Sequence, residues 1–464
     1  MLPTKIVIIG AGSAIFGLNT ASSLIGSERL RGSQLALVDH NPETLALMTR
    51  LAERLNLEWN SEITITAHTY PGEALEGAEF VVSAIEVAPR ERLWRSDYEI
   101  PLRYGLRQPY AENGGPGGFA HAARNIGPVL DIVYGMEQAC PDAWFLNFTN
   151  PMMRICDAIN RYSYIKVVGL CHQIHAGYGM VGYVLAGDLG IKVPKGTLSA
   201  HADPDIWPRL EFLARQAMQR VEIQAAGLNH FTWMLDLRDK RSGEDLYPLF
   251  AERWAKFDPT FEPLTRRIYA TMGWFPIPGD EHLCEYLPWL SNPVTRPWEK
   301  YDISLYDWER MEGLRRVGHD DIAKMGDGRL EIDHLRLLDS EGALEVIENI
   351  AGAGVHFHPA VNLPNQGFIA NLPEAAIVET PGLITGAGVQ GVSVGPLPEA
   401  IAELCRREIT VVQLCVDAVV QGDREAALQC LLLDPVVSDL DIAQHILDDY
   451  LETYREYLPQ FWEE

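Results

Sequence analysis

The stretch Ile6-Val7-Ile8-Ile9-Gly10-Ala11-Gly12-Ser13, answered by Gln34-Leu35-Ala36-Leu37-Val38-Asp39, decides the architecture. Residues 6–9 are an apolar, β-branched run that reads as a buried strand. The two glycines read as a tight turn, and the largely apolar residues through Ser27 read as a helix. Without a Cβ, Gly10 and Gly12 let the backbone approach a pyrophosphate, whose charge the helix N-terminus stabilises. Ser13 can donate to a phosphate oxygen. Asp39, at the end of the second strand, suits a ribose diol and would repel a 2′-phosphate, so the turn reads as a site for NAD rather than NADP. The third glycine of the G-x-G-x-x-G spacing is replaced by Ile15, with Gly17 two places later, so the written motif is incomplete and its strand–turn–helix setting carries the reading. The bland alternative is a glycine turn beside a surface aspartate.

Outward from this unit, strand-like runs at 63–66, 80–85, 144–147 and 166–170 alternate with helical stretches such as 43–55 and 120–140. Such alternation predicts an α/β fold with a doubly wound parallel sheet of Rossmann-like type. Beyond residue 195 the alternation stops. Helical stretches dominate at 209–220, 247–256, 340–351, 397–421 and 439–457, and strand-like pieces at 220–224, 233–237 and 389–394 predict a smaller sheet. Two domains are expected, 1–195 Rossmann-like and 196–464 of α+β type. No Pro/Ser-rich linker separates them, which places a site between them.

The 464 residues carry 64 acidic against 38 basic side chains, a formal charge of −26. That balance argues against a nucleic-acid or anionic-membrane partner, each of which needs a basic face. Residues 1–9 lack the order of a signal peptide, and no apolar run reaches the roughly 18 residues a bilayer span needs, so a cytoplasmic location is expected. The seven cysteines include no C-x-x-C pair, which indicates neither a disulfide framework nor a zinc knuckle.

Residues 166–170 deliver Cys171-His172-Gln173 to the carboxyl end of the predicted sheet, where ligands of open α/β folds bind. A lone cysteine is more often an inert core residue, and His230, set in Gly227-Leu228-Asn229-His230-Phe231, would alone read equally well as a satisfied core histidine. Taken together, Gly10-Ala11-Gly12-Ser13, Asn147-Phe148-Thr149-Asn150-Pro151, Gly169-Leu170-Cys171-His172, Gly227-Leu228-Asn229-His230 and Asn362-Leu363-Pro364-Asn365-Gln366-Gly367 resemble, in order and approximate spacing, glycoside hydrolase family 4.

The resemblance implies an NAD- and divalent-metal-dependent glycosidase, typically with manganese, and a homodimer or homotetramer. It implies that Cys171 and His230 are metal ligands and that Asn150 holds the sugar. Its mechanism, outside the two-carboxylate scheme, runs through oxidation at C3, proton removal at C2, elimination of the aglycone, addition of water at C1 and re-reduction. The segment Gly279-Asp280-Glu281-His282-Leu283-Cys284-Glu285-Tyr286 resembles the one that supplies the base, with Asp280 first and Tyr286 second. For the acid, Asn113 stands where relatives can carry a carboxyl, which leaves Glu112, His172 and a metal-associated water. Cys171-His172 resembles the branch acting on unphosphorylated α-glucosides, α-galactosides or uronides. Arg90, Arg92, Arg95 and Arg103 could form an arginine fork for an anionic group or lie on a solvated face. Trp233, Trp274 and Trp289 could wall a sugar or fill a core. The rival reading is an NAD-dependent dehydrogenase of a sugar or hydroxy acid that releases NADH, and a third is a cofactor-binding regulator without catalysis.

Overall fold

The computed structural model describes residues 3–196, 206–290, 292 and 294–463. Among them, twelve strands form one sheet: β1 Lys5–Ile9, β2 Gln34–Val38, β3 Thr64–His68, β4 Phe80–Ser83, β5 Trp144–Asn147, β6 Lys166–Gly169, β7 Val221–Leu228, β8 Phe231–Asp239, β9 Phe275–Pro276, β10 Val355–Pro364, β11 Ile377–Thr385 and β12 Gly388–Gly391. The first six lie in the order β3-β2-β1-β4-β5-β6, all parallel. This is the doubly wound, Rossmann-like half.

Apart from the exposed edge strand β3, its strands are apolar at nearly every position because both faces are covered. Val7, Ile9, Val81 and Phe145 point into one core with the helices Gly115–Ala139, Met152–Tyr162 and Glu399–Gln421. Ile6, Ile8, Val82 and Leu146 point into the other, with Phe16–Gly26, Pro42–Glu58 and Ala343–Ala351. A third core joins β7 and β8 to the helices Gln173–Val184, Ile206–Met218 and Tyr247–Lys256.

The later strands do not form a separate small sheet. β10 and β11 make a long antiparallel hairpin, and this hairpin attaches to β6 through one pair, Asn362↔Gly169, and to β7 through another, Glu379↔Gly227. Gly169 permits the approach: a Cβ there would sit 2.9 Å from that of Asn362 and 2.4 Å from the Met152 sulfur. The hairpin escapes a reading by hydrophobic alternation because Pro359, Asn362, Pro364, Glu379 and Pro381 interrupt its pattern. The helix Arg90–Arg103 escapes it for similar reasons, being rich in arginine and containing Pro101. Among the described residues no helix is long and apolar enough to cross a membrane.

Behind the parallel half, Arg154 is buried with no hydrogen bond to any of its three guanidinium nitrogens, and Glu408 stands 3.7 Å away. Burial pushes the nearby Asp157 carboxyl up to about 6, even though Arg161 lies 3.2 Å away. A carboxyl that holds its proton more tightly folded than unfolded contributes least above its folded pKa. Its share of stability is therefore present in acid and lost as pH rises from the ordinary aspartate value through about 6. Urea unfolding across that window should show a shallower decline for Asp157→Asn than for the native chain, by about 1.4 kcal/mol per unit of displaced pKa.

Candidate active site

At the dinucleotide turn Gly10 has φ +87°, and a Cβ there would lie 2.2 Å from the Ala84 carbonyl oxygen. The Gly12 amide donates to Asp39 Oδ2 at 2.8 Å, while Asp39 Oδ1 accepts from the Asn41 amide at 2.9 Å. Ser13 Oγ accepts from the Phe16 amide at 3.2 Å, at the opening of the first helix. Ile15 is exposed, and Gly17 makes the close helix–strand approach: its Cβ would fall 2.1 Å from the Ala11 carbonyl. The packing role of the motif's third glycine is thus filled two places later, by Gly17. His319, from the helix Trp308–Gly326, reaches over the turn with Nε2 3.0 Å from the Gly12 carbonyl, a contact invisible in sequence.

At the carboxyl end of β6, Cys171 Sγ meets His230 Nε2 from the β7–β8 turn at 3.2 Å. The two segments are tied again where Thr232 Oγ1 donates to Gln173 Oε1 at 3.0 Å. Beneath them, Glu379 Oε2 accepts from Asn229 Nδ2 at 2.7 Å and from Asn362 Nδ2 at 3.0 Å. Glu379 Oε1, Asn229 Oδ1, Asn362 Oδ1 and His230 Nδ1 are buried without partners.

Burial, Glu379 and Glu341 push the Cys171 thiol up, and burial with His282 and His172 pushes the His230 imidazole well down. Both side chains are therefore neutral, beside a Glu379 that, among the described residues, is met by amides and not by a cationic side chain. That donor set fits a divalent cation, which would favour the thiolate. Among the described residues no three His, Cys, Asp or Glu side chains converge as a closed cage, so two protein ligands would leave positions for substrate oxygens.

The remaining candidates divide. His172 turns from Cys171 toward Glu341, Nδ1 to Oε2 2.9 Å, and that carboxylate raises its pKa to about 9. Asn150 presents a buried Oδ1 with no partner. Tyr286 is buried against Phe231, donates to the Asn229 carbonyl at 3.2 Å and accepts from the His230 amide at 3.1 Å, so it braces the ligand turn. Asp280 is not brought to the thiol–imidazole pair. Its oxygens accept from the Leu264 and Thr265 amides at 2.9 and 2.7 Å, capping the helix Pro263–Met272.

His282 and Glu285, which carry no role in the sequence reading, lie against the thiol–imidazole pair together with the candidate acid Glu112. The His282 ring stacks on His230 at 4.5 Å, its Nδ1 lies 3.1 Å from Glu285 Oε2, and Tyr110 stacks on its other side at 4.8 Å. Glu285 Oε1 accepts from the amides of Glu112 and Asn113, both at 3.0 Å. Burial raises the Glu112 carboxyl, which lies in the field of His121, Glu285 and His282. The i, i+3 spacing of His282 and Glu285 on the helix Asp280–Tyr286 was the available clue. Of the tryptophans, Trp233 is fully buried and Trp289 is exposed.

Residues 5–184 match the Family 4 glycosyl hydrolase and residues 225–437 the Family 4 glycosyl hydrolase C-terminal domain. The chain is similar to an alpha-glucosidase of Erwinia rhapontici, 30% identical with 98% of this chain and 99% of that one covered. Its fold matches lplD of Bacillus subtilis, described as a glucosidase, with TM-score 0.83 and 26% identity over 97% of this chain and 100% of that one. It also matches the 6-phospho-beta glucosidase of Thermotoga maritima solved with manganese, NAD+ and glucose-6-phosphate, TM-score 0.77 and 21% identity over 98% and 99%.

If Asp280 serves as a cap, Asp280→Ala should lower unfolding stability by roughly 2–4 kcal/mol, the value of two buried bonds to a charged acceptor. Denaturant titration of the two proteins measures it, and an unchanged midpoint would contradict the assignment.

Proposed function

The chain belongs to glycosyl hydrolase family 4, and from that premise we propose that it hydrolyses an unphosphorylated glycoside, an α-glucoside, α-galactoside or uronide, using NAD and a divalent metal. The observation that carries the proposal is the meeting of Cys171 and His230 at 3.2 Å, at the strand end of a dinucleotide-binding fold. The Cys171-His172 dipeptide and the alpha-glucosidase relative support the unphosphorylated branch. The phospho-glucosidase bearing manganese and NAD+ supports the cofactor pair.

Gly10, Gly12, Ser13 and Asp39 would hold the dinucleotide, and Cys171 with His230 the cation. When bound, NAD supplies reversible hydride exchange at a carbinol, and the cation polarises the adjacent sugar oxygens so that a neighbouring C–H becomes acidic. Asn150 Oδ1, buried and unpartnered, accepts a hydrogen bond from a sugar hydroxyl. His282, oriented through Nδ1 by Glu285, removes the C2 proton with Nε2, a role its stacking on His230 favours over Asp280. Glu112, whose carboxyl burial pushes up, would serve as the acid that protonates the leaving oxygen. Tyr286 and the Glu379 network hold His230 in place and donate nothing to the substrate.

With NAD and manganese present, p-nitrophenyl α-glycosides should release p-nitrophenol while absorbance of NADH stays flat. NADH accumulating in step with turnover would instead establish the dehydrogenase reading. Cys171→Ser and His230→Ala should each abolish release. His282→Asn should lower it by about 10²–10⁴-fold yet still reduce enzyme-bound NAD in a single turnover.

A further inference from the structure

Glu86 follows β4 and is pinned beside Asn150. The Ile85 amide donates to Thr149 Oγ1 at 3.0 Å, and the Val87 amide donates to Asn125 Oδ1 at 3.1 Å. Asn125 Nδ2 in turn donates to the Asn150 carbonyl at 3.4 Å. Glu86 Oε2 accepts from Arg90 Nε, and Oε1 is buried without a hydrogen bond, 3.5 Å from His121 Nε2. The Arg90 guanidinium lies 4.3 Å over the Trp94 ring, with a buried Nη1 that also lacks a partner. Asn113 Oδ1 and Asn150 Oδ1 are unpartnered as well, and His121 Nδ1 makes no hydrogen bond but lies 3.6 Å from Asp97 Oδ2. Buried polar atoms are ordinarily satisfied, so a cluster of orphans at the strand ends of the site is a cluster awaiting a ligand.

Of the four arginines that could form a fork or lie on a solvated face, Arg90 alone points inward, because Arg92 and Arg103 turn toward Glu456 and Asp449 at the C-terminal end of the chain and Arg95 is exposed. Arg90 is matched by Glu86 and lies in the field of Glu112. We propose that Glu86, paired with Arg90, makes this site select glycosides of uncharged sugars and turn away uronides. The inference rests on the glycosidase reading above.

A sugar hydroxyl both donates and accepts, so it satisfies Glu86 Oε1 and Arg90 Nη1 at once. A uronate carboxylate only accepts. It can take Arg90 Nη1 but donates nothing to Glu86 Oε1 and faces it with a like charge, a juxtaposition that discriminates between ligands by repulsion.

The test compares kcat/KM on the p-nitrophenyl α-glycosides of glucose, galactose, glucuronate and galacturonate, with NAD and manganese, for the native protein, Glu86→Gln and Glu86→Asp. The native protein should favour the uncharged pair by at least about 100-fold. Glu86→Gln should shrink that ratio tenfold or more, chiefly through a lower KM for the uronides, while Glu86→Asp, which keeps the charge, retains it. Thermal unfolding of all three verifies that they are folded. A native preference for the uronides, or an unchanged ratio in Glu86→Gln, overturns the inference and leaves the glycosidase reading standing. No release from any of the four substrates by the native protein removes that reading, and the inference with it.

Discussion

The structure depends on two single backbone pairs, Asn362↔Gly169 and Glu379↔Gly227, which join a parallel six-stranded half-sheet to an antiparallel one through the β10–β11 hairpin. Both joints are closed from below by one buried carboxylate, Glu379, which takes amide protons from Asn229 and Asn362. A carboxylate so deeply buried is tolerable only with such donors. Its position sets the β7–β8 turn against the end of β6, and that is how two residues 59 positions apart come to touch. The apolar layers on either side of the sheet supply most of the stability, but the joint decides the geometry of the site.

Charge follows from the same placement. Glu379, Glu341, Glu285, Glu112 and Glu86 gather around the strand ends, while the histidines and the thiol there are held largely neutral by burial or engaged with carboxylates. Glu379 is met there by the amides of Asn229 and Asn362, and a cation beside Cys171 and His230 would supply its counter-charge. The chain's overall acidity thus has a local counterpart at its centre. Glu112, whose carboxyl burial pushes up, stands in the field of His121 and His282, so the environment sets neighbouring groups apart in their hold on protons.

Much of this was legible beforehand. β2 and β5 coincide with their expected spans because uninterrupted apolar runs mark strands buried on both faces, and Gly10, Gly12 and Asp39 stand where the strand–turn–helix reading put them. Cys171 and His230 converge as the resemblance implied. The base was less legible. Asp280 and His282 are neighbours in sequence, yet Asp280 caps a helix N-terminus while His282 stacks on His230, and only coordinates show which helix needed a cap. The β10–β11 hairpin was hidden because its inner positions are polar at the joint, where function has displaced alternation. The pairing of Glu86 with Arg90 could be suspected from their i, i+4 spacing, but not the orphan atoms around them.

Cys171 and His230 together would hold one cation. Anomalous diffraction at the manganese edge, from crystals grown with manganese and NAD, addresses this directly. The account predicts one strong peak within coordination distance of both Cys171 Sγ and His230 Nε2, with the sulfur–nitrogen contact opened to admit the ion. A peak elsewhere, or none while those two side chains stay in mutual contact, would contradict it.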